Sequence, residues 1–226
     1  MHTMPNMPEI LENPGRCNAG PCAVADYPTL SFMDPLPRIP AMAATTLQLE
    51  FLLQEPLVDL KAISEVILSD AGATLQILRL IGEEFPNEQE RPTRIEDCIV
   101  SLNSDCWYEA IRQQGVSQNG RLMAEWQRCR RTGEYARELA SCFEAVSPDE
   151  AYIVGLLHRL GELPHLLGWS KPGGSTGEHH ALGLMLAELW QLPRYLTCAM
   201  REQQAPSAPI MWRELLRMAG QLAEPV

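Results

Sequence analysis

Ala151-Tyr-Ile-Val-Gly-Leu-Leu-His-Arg-Leu-Gly-Glu-Leu-Pro164 is a strongly apolar run that carries a histidine beside a charged residue. Ser147 is placed to cap a helix ahead of it, Pro148 suits a first turn, and Glu150 stands where a capping box puts its acid. Ile153, Leu156, Leu157, Leu160 and Leu163 recur at spacings of three and four, so the sequence predicts one helix through this run with a broad apolar stripe. His158 then lies close to the core. A histidine followed by an aspartate on such a helix suits a divalent cation, because neutral imidazole and ionised carboxylate both donate lone pairs. The second residue here is Arg159, a permanent cation with none to donate.

Outward from this helix the same period continues. Leu47, Leu49, Leu52 and Leu53 predict a first helix from about Ala41 that ends before Pro56. Asp59 is placed to cap a second through Ile67, and Asp70 a third with Leu75, Ile77, Leu78 and Ile81 on its apolar side. The acidic segment Glu83 to Arg94 reads as a surface loop. Helices follow around Ile95 to Leu102 and Asp105 to Gln114. A longer one runs from Arg121 to Ala145, with Thr132 and Gly133 as a candidate bend. Beyond the Gly/Ser/Pro loop of residues 168–177, Glu178 to Leu192 returns to helix, with Leu182, Met185, Leu186, Leu189 and Trp190 expected inward. Pro193 opens the next helix, to about Gln204. A last one from about Pro209 to Leu222 carries Trp212, Leu215, Leu216 and Leu222. No stretch alternates at period two, so no strand is predicted.

The 226 residues suit one domain or a small pair of subdomains. A net charge of -11 argues against general attraction to nucleic-acid backbones or anionic lipid, so neither is an expected partner. The seven cysteines form no repeated close pairs with zinc-ligand spacing. Cys17 and Cys22 alone do not define a site, and reduced thiols in a cytoplasm fit the pattern best. No apolar run is long enough to cross a bilayer, and the first residues do not read as a signal peptide. Residues 1–35 carry Pro5, Pro8, Pro14, Pro21, Pro28 and Pro35, a composition expected of a flexible leader that buries little. Residues 36–226 are expected to form the folded part.

Gly155-Leu-Leu-His158-Arg-Leu-Gly161 resembles the "GLLHDIG" core of HDOD domains, regulatory relatives of the HD and HD-GYP metal-dependent phosphohydrolases. Leu36-Pro37-Arg-Ile-Pro40 resembles the opening "LPxLP", and Ile63-Ser-Glu-Val-Ile67-Leu-Ser-Asp70 the "IAxIIxxDP" helix. Leu75-Gln-Ile-Leu78-Arg-Leu80 is similar to "LxxxLLRLAN", and Ile99-Val-Ser-Leu102 to "AIxxLG". His180-Ala-Leu-Gly183 through Trp190-Gln-Leu-Pro193 is similar to "HAxxGAxLxxxWxLP". Gly82-Glu-Glu-Phe85 departs from the usual "NSAxF". The resemblance implies an all-α fold, a multi-helix HD-like bundle in two helical lobes, divided here as 36–118 and an HD-like lobe at 119–226.

In a catalytic relative, the resemblance implies a metal held by a first histidine, the His-Asp pair and further histidines downstream. The first of these positions falls here on Arg128, the pair on His158 and Arg159, the next histidine on His180, and the terminal pair on Gln203 and Gln204. A metal that activates water generally needs about three good protein ligands, and a guanidinium beside it adds repulsion. The expectation is therefore a vestigial pocket of Arg128, His158, Arg159, Glu162, His180, Gln203 and Gln204 with no cofactor. If a metal binds at all, its ligands are His158, His180 and Glu162.

Of His179 and His180, one is expected inward and the other exposed, since adjacent helical residues point about 100° apart. Arg128, Arg130 and Arg131 with Arg159 offer an anion pocket, because guanidinium forks match phosphate and carboxylate oxygens, against the blander reading of a solvated helix face. Trp126, Trp190 and Trp212 fall on apolar stripes and are expected in the core. The expected function is a non-catalytic HDOD-type signal-transduction module in a bacterial cytoplasm, acting on a protein partner. Two alternatives stay open: a metal-dependent phosphohydrolase of nucleotides or cyclic dinucleotides, and a sensor of a nucleotide or other phosphorylated small molecule.

Overall fold

In the computed structural model, residues 38–144, 146–169, 176–204 and 211–224 are described. The expected leader with Cys17 and Cys22, the start of the "LPxLP" match, Ala145, residues 170–175 and Pro209 lie outside them. Helices follow in chain order: α1 (Ala43–Gln54), α2 (Leu60–Leu68), α3 (Ala71–Glu84), α4 (Ile95–Ser101), α5 (Ser104–Gln113), α6 (Gly120–Leu139), α7 (Pro148–Leu157), α8 (Leu163–Leu166), α9 (Thr176–Leu189), α10 (Arg194–Gln204) and α11 (Met211–Ala223). The all-α expectation holds, with one small addition. Residues Ala41–Met42 (β1) and Val116–Ser117 (β2) form a two-residue parallel bridge, too short for any alternation in the sequence to announce.

The caps explain why the helices begin where they do. Asp59 accepts from the Ala62 amide at 3.0 Å. Asp70 accepts from Gly72 and Ala73 at 2.8 and 3.2 Å, and its second oxygen accepts from Met42 at 2.6 Å, so one fully buried carboxylate caps α3 and anchors β1. At α7 only half of the expected capping box forms: Glu150 accepts from the Ser147 amide, whereas the Ser147 side chain makes no capping bond.

Within the compact unit Arg38–Val226, α1 to α5 pack among themselves; α6 and α10 pack on α7, α11 on α6 and α10, and α9 on α10 and the turn after α7, with α3 touching both α6 and α7. Every residue of α7 from Ala151 to Leu157 is buried. Its surroundings are therefore protein on all sides, which one apolar stripe does not convey. Tyr152 donates to the Leu68 carbonyl at 2.8 Å, tying α7 to the end of α2. Trp126, Trp190 and Trp212 are all buried, as their stripes predict.

Several boundaries differ from the sequence reading. The helix at Ala151 stops at Leu157; His158 and Arg159 form a turn, residues Leu160–Glu162 a 3-10 turn, and α8 resumes at Leu163. Leu160 and Leu163 stay buried because the chain holds its course. The run α6 continues unbroken through Thr132 and Gly133 and passes into a 3-10 turn at Ala140, so the expected bend is absent there. Leu189, expected inward, is 41% exposed. Glu83 and Glu84 are still helical, and Arg91 in the following loop donates to the carbonyls of Phe85 at 2.6 Å and Gln191 at 2.8 Å. That loop is a clasp between the two groups of helices.

Candidate functional site

The site begins with an absence of side chains. At the crossing of α6 and α7 a Cβ on Gly155 would lie 2.6 Å from Gly133 Cα, so the two backbones approach as only a glycine pair permits. Gly133, read from sequence as a bend, is a contact point. A Cβ on Gly161 would collide with the His179 carbonyl, and this second close approach brings the start of α9 against the turn after α7. Together the glycines carry His158, Arg159, Glu162, His179 and His180 to one place.

That place is a cavity of about 310 Å³ lined by Arg128, Thr132, His158, Arg159, Gly161, Glu162, His179, His180, Gln203, Gly220 and Glu224. Six of the seven residues expected in the pocket are among them. Gln204 is exposed and does not line it, being one residue further round α10 than Gln203. Arg130 and Arg131 are exposed, and Arg130 pairs with Glu134 on its own helix at 3.0 Å, so the anion pocket built on three arginines of α6 reduces to Arg128. His179 and His180 are both half-buried and both line the cavity.

The charges inside are already paired. Arg159 Nη1 lies 2.8 Å from Glu125 Oε1, and Arg128 Nη2 lies 3.0 Å from the same oxygen. Arg159 also donates through Nε to Glu162 Oε1 at 2.7 Å and through Nη2 to that oxygen. Glu125 was not singled out from sequence. Its position one turn before Arg128 on α6 was the available signal, but the pairing to Arg159 is tertiary. Burial pushes both carboxyls above the usual range and outweighs the nearby cations, among which Arg128 lowers both.

Burial holds two of the imidazoles, His158 and His180, neutral. His158 Nδ1 meets the Gly155 carbonyl at 2.6 Å, which fixes Nδ1 as the donor, and burial lowers the ring's pKa to about 4. Burial also lowers His180, which donates to the backbone carbonyl of Gln203. The Gln203 side-chain nitrogen is buried and has no partner among the described residues.

A family model described as "HDOD domain" matches residues 95–170, the stretch from α4 to the end of α8 that contains His158, Arg159 and Glu162. Over that stretch the chain is similar to an HDOD domain. In overall fold it is similar to the MmoQ response regulator from Methylococcus capsulatus str. Bath, with a TM-score of 0.64 at 20% identity over 82% of this chain and 85% of that one. A second crystal structure of that regulator, fragment 20–298, gives 0.63 at the same identity and covers 84% of that chain. At this identity the likeness is one of fold. The chain is also 24% identical over 220 residues to an uncharacterized protein of Treponema pallidum (strain Nichols), a match covering 82% of this chain and 42% of that relative's length. It spans well under half of the curated relative it matches.

HDOD domains are related to the metal-dependent HD phosphohydrolases, so the donor set has to be tested against a metal. It does not fit. Arg159 follows His158 where the resemblance implies an aspartate, and Glu162, the nearest carboxylate, is engaged by the Arg159 guanidinium. Among the described residues, no three His, Cys, Asp or Glu side chains gather as a metal site requires. His158 and His180 offer one lone pair each, and Glu162, the carboxylate beside them, already receives Arg159 on Oε1.

Proposed function

We propose that this HDOD-like domain is a non-catalytic regulatory module that acts on a protein partner in signal transduction, in the cytoplasm. The observation that carries this reading is the double engagement of Arg159. Its guanidinium bridges Glu125 on α6 and Glu162 beyond α7, so a fixed organic cation joins the helices across the site where a catalytic relative would bind its metal. A guanidinium orients carboxylates as a metal would, but it offers no coordination position at which water is activated. The surrounding elements are consistent with a scaffold, since no described helix is long and apolar enough to cross a membrane and the acidic chain offers little to a phosphate backbone.

Elemental analysis of untagged protein purified without chelator, together with hydrolysis of bis(p-nitrophenyl) phosphate in the presence of added manganese, iron, nickel, zinc or magnesium, tests the reading. The expected outcome is substoichiometric metal and no turnover above buffer. Near-stoichiometric metal and turnover, both lost in a His158→Ala, His180→Ala double variant, overturn it in favour of the phosphohydrolase.

A further inference from the structure

The cavity's unused valences define what it can bind, and they are not those of a phosphate site. Arg159 is committed through all three guanidinium nitrogens, to Glu125 and to Glu162, and Arg128 gives its Nη2 to Glu125. Around and behind the cavity two arginines face three carboxylates, Glu125, Glu162 and Glu224. An anion entering here has to displace carboxylates that already satisfy the cations at 2.8–3.0 Å.

What remains is mostly acceptor. His158 spends its Nδ1 proton on Gly155, so Nε2 carries a lone pair. His180 spends its ring N–H on the Gln203 carbonyl, leaving its other nitrogen as an acceptor. Glu162 receives Arg159 on Oε1, and among the described residues no hydrogen-bond donor meets its Oε2. Against these stands one buried donor without a partner, the side-chain amide nitrogen of Gln203. A buried donor left unmet is costly, so a ligand acceptor opposite it is favoured. The volume of about 310 Å³ is at the small end of ligand pockets, which run from about 300 to 1,000 Å³. A dinucleotide is too large for it.

The geometry points to a cavity that receives an uncharged group carrying adjacent N–H donors and a carbonyl acceptor, of the carboxamide, ureido or lactam class. Its N–H groups face His158, His180 and Glu162, and its carbonyl accepts from Gln203. This rests on the metal-free reading above, since a metal would consume the same imidazole lone pairs. The group comes either from a small molecule or from an asparagine or glutamine side chain of the partner.

The test is a titration of the ¹⁵N-labelled chain with hydantoin, with an acetylated glutamine amide, and with pyrophosphate, followed by backbone amide shifts. Hydantoin is expected to give saturable shifts confined to the turn at His158–Glu162, the start of α9 and the end of α10. Gln203→Leu is expected to weaken it at least tenfold, with the spectrum otherwise folded. A stronger response to the glutamine amide than to hydantoin assigns the source to a protein side chain; the reverse assigns it to a small molecule. Saturable shifts with pyrophosphate and none with the two amide probes overturn the proposal, as does hydantoin binding unchanged in Gln203→Leu. If both amide probes fail while the protein remains metal-free and inactive, the ligand class is wrong and the regulatory reading survives.

Discussion

The guanidinium of Arg159 holds Glu125, a residue 34 positions earlier on another helix, at 2.8 Å while it also grips Glu162 three residues ahead of it. The three side chains are 28%, 16% and 21% exposed, intermediate between a surface pair and a buried one. Removing the cation leaves two carboxylates beside each other with Arg128 as the remaining arginine and His179 Nδ1 3.9 Å from Glu162. Exposed pairs contribute about 0–1 kcal/mol and breaking a buried pair costs about 3–5 kcal/mol, so Arg159→Ala is expected to cost about 1–3 kcal/mol in urea unfolding at pH 7. Arg159→Lys should recover little, because a lysine cannot present a fork to two carboxylates at once. A double-mutant cycle with Glu125→Ala should return a favourable coupling of roughly 1 kcal/mol or more, and a coupling near zero would show that the bridge holds nothing together.

His158 supplies a pH dependence whose sign is fixed. Its folded pKa, about 4, lies below the ordinary 6.5. Above 6.5 the ring is neutral in both states and contributes nothing. As pH falls from 6.5 toward 4 the unfolded chain takes a proton that the folded ring refuses, and stability drops. The loss approaches roughly 3 kcal/mol at its limit. Thermal melts of the wild type and His158→Gln at intervals from pH 8 to pH 4 should therefore converge in slope above 6.5 and separate below it, the wild type falling faster. Parallel curves would mean that the ring titrates alike in both states.

How much of this was legible in the sequence follows from which contacts are local. The caps at Asp59 and Asp70, and the helices they start, depend on residues within four positions and are read directly. Family resemblance brought Arg128, His158, Arg159, His180 and Gln203 together because each occupies a fixed place in an ordered set of motifs, and helical spacing from His158 added Glu162. Glu125 was missed because its decisive partner is reached across two helices. Thr132, Gly220 and Glu224 line the cavity only through the crossing of α6 with α11, which no spacing encodes. The end of α7 at Leu157 was missed for the opposite reason: the buried period persists through the turn, so the pattern of apolar residues does not register the change of backbone.

A second long-range cap is exposed to the same kind of test. Glu202 on α10 is 8% exposed, and its Oε2 accepts from the amides of Trp212 at 2.8 Å and Arg213 at 3.3 Å at the start of α11. Helix α11 packs on α6, so this one carboxylate connects α10, α11 and the wall of the cavity. Glu202→Ala leaves two helix amides without their acceptor and should cost about 1–2 kcal/mol, with Glu202→Gln intermediate because it keeps one carbonyl oxygen. Hydrogen exchange should speed up in α11 before it does in α7. Uniform acceleration across both helices would place the effect in global unfolding and not in the cap.

The crossing of α6 and α7 sets the most demanding prediction. A methyl group on Gly155 would stand 2.6 Å from Gly133 Cα and 2.8 Å from Gly133 N, both backbone atoms, so no rotamer change can relieve it. The helices have to separate, and the residues between Ala151 and Leu157 are packed on every side. Overpacking of this kind costs about 1–3 kcal/mol or more, while the helix propensity of alanine over glycine returns at most about 1 kcal/mol. Gly155→Ala is therefore expected to lose about 2 kcal/mol net, a fall in Tm of roughly 4–8 °C for a domain of this size. Gly220, on α11, is the control. A Cβ there meets nothing within 4 Å, so Gly220→Ala should be neutral or raise stability by up to about 1 kcal/mol. Because the Gly155 carbonyl also positions His158, separation of the helices should shift the His158 ring resonances in Gly155→Ala and leave them in place in Gly220→Ala. Equal stability of the two variants would mean that the backbones do not approach at Gly133 as closely as this crossing requires.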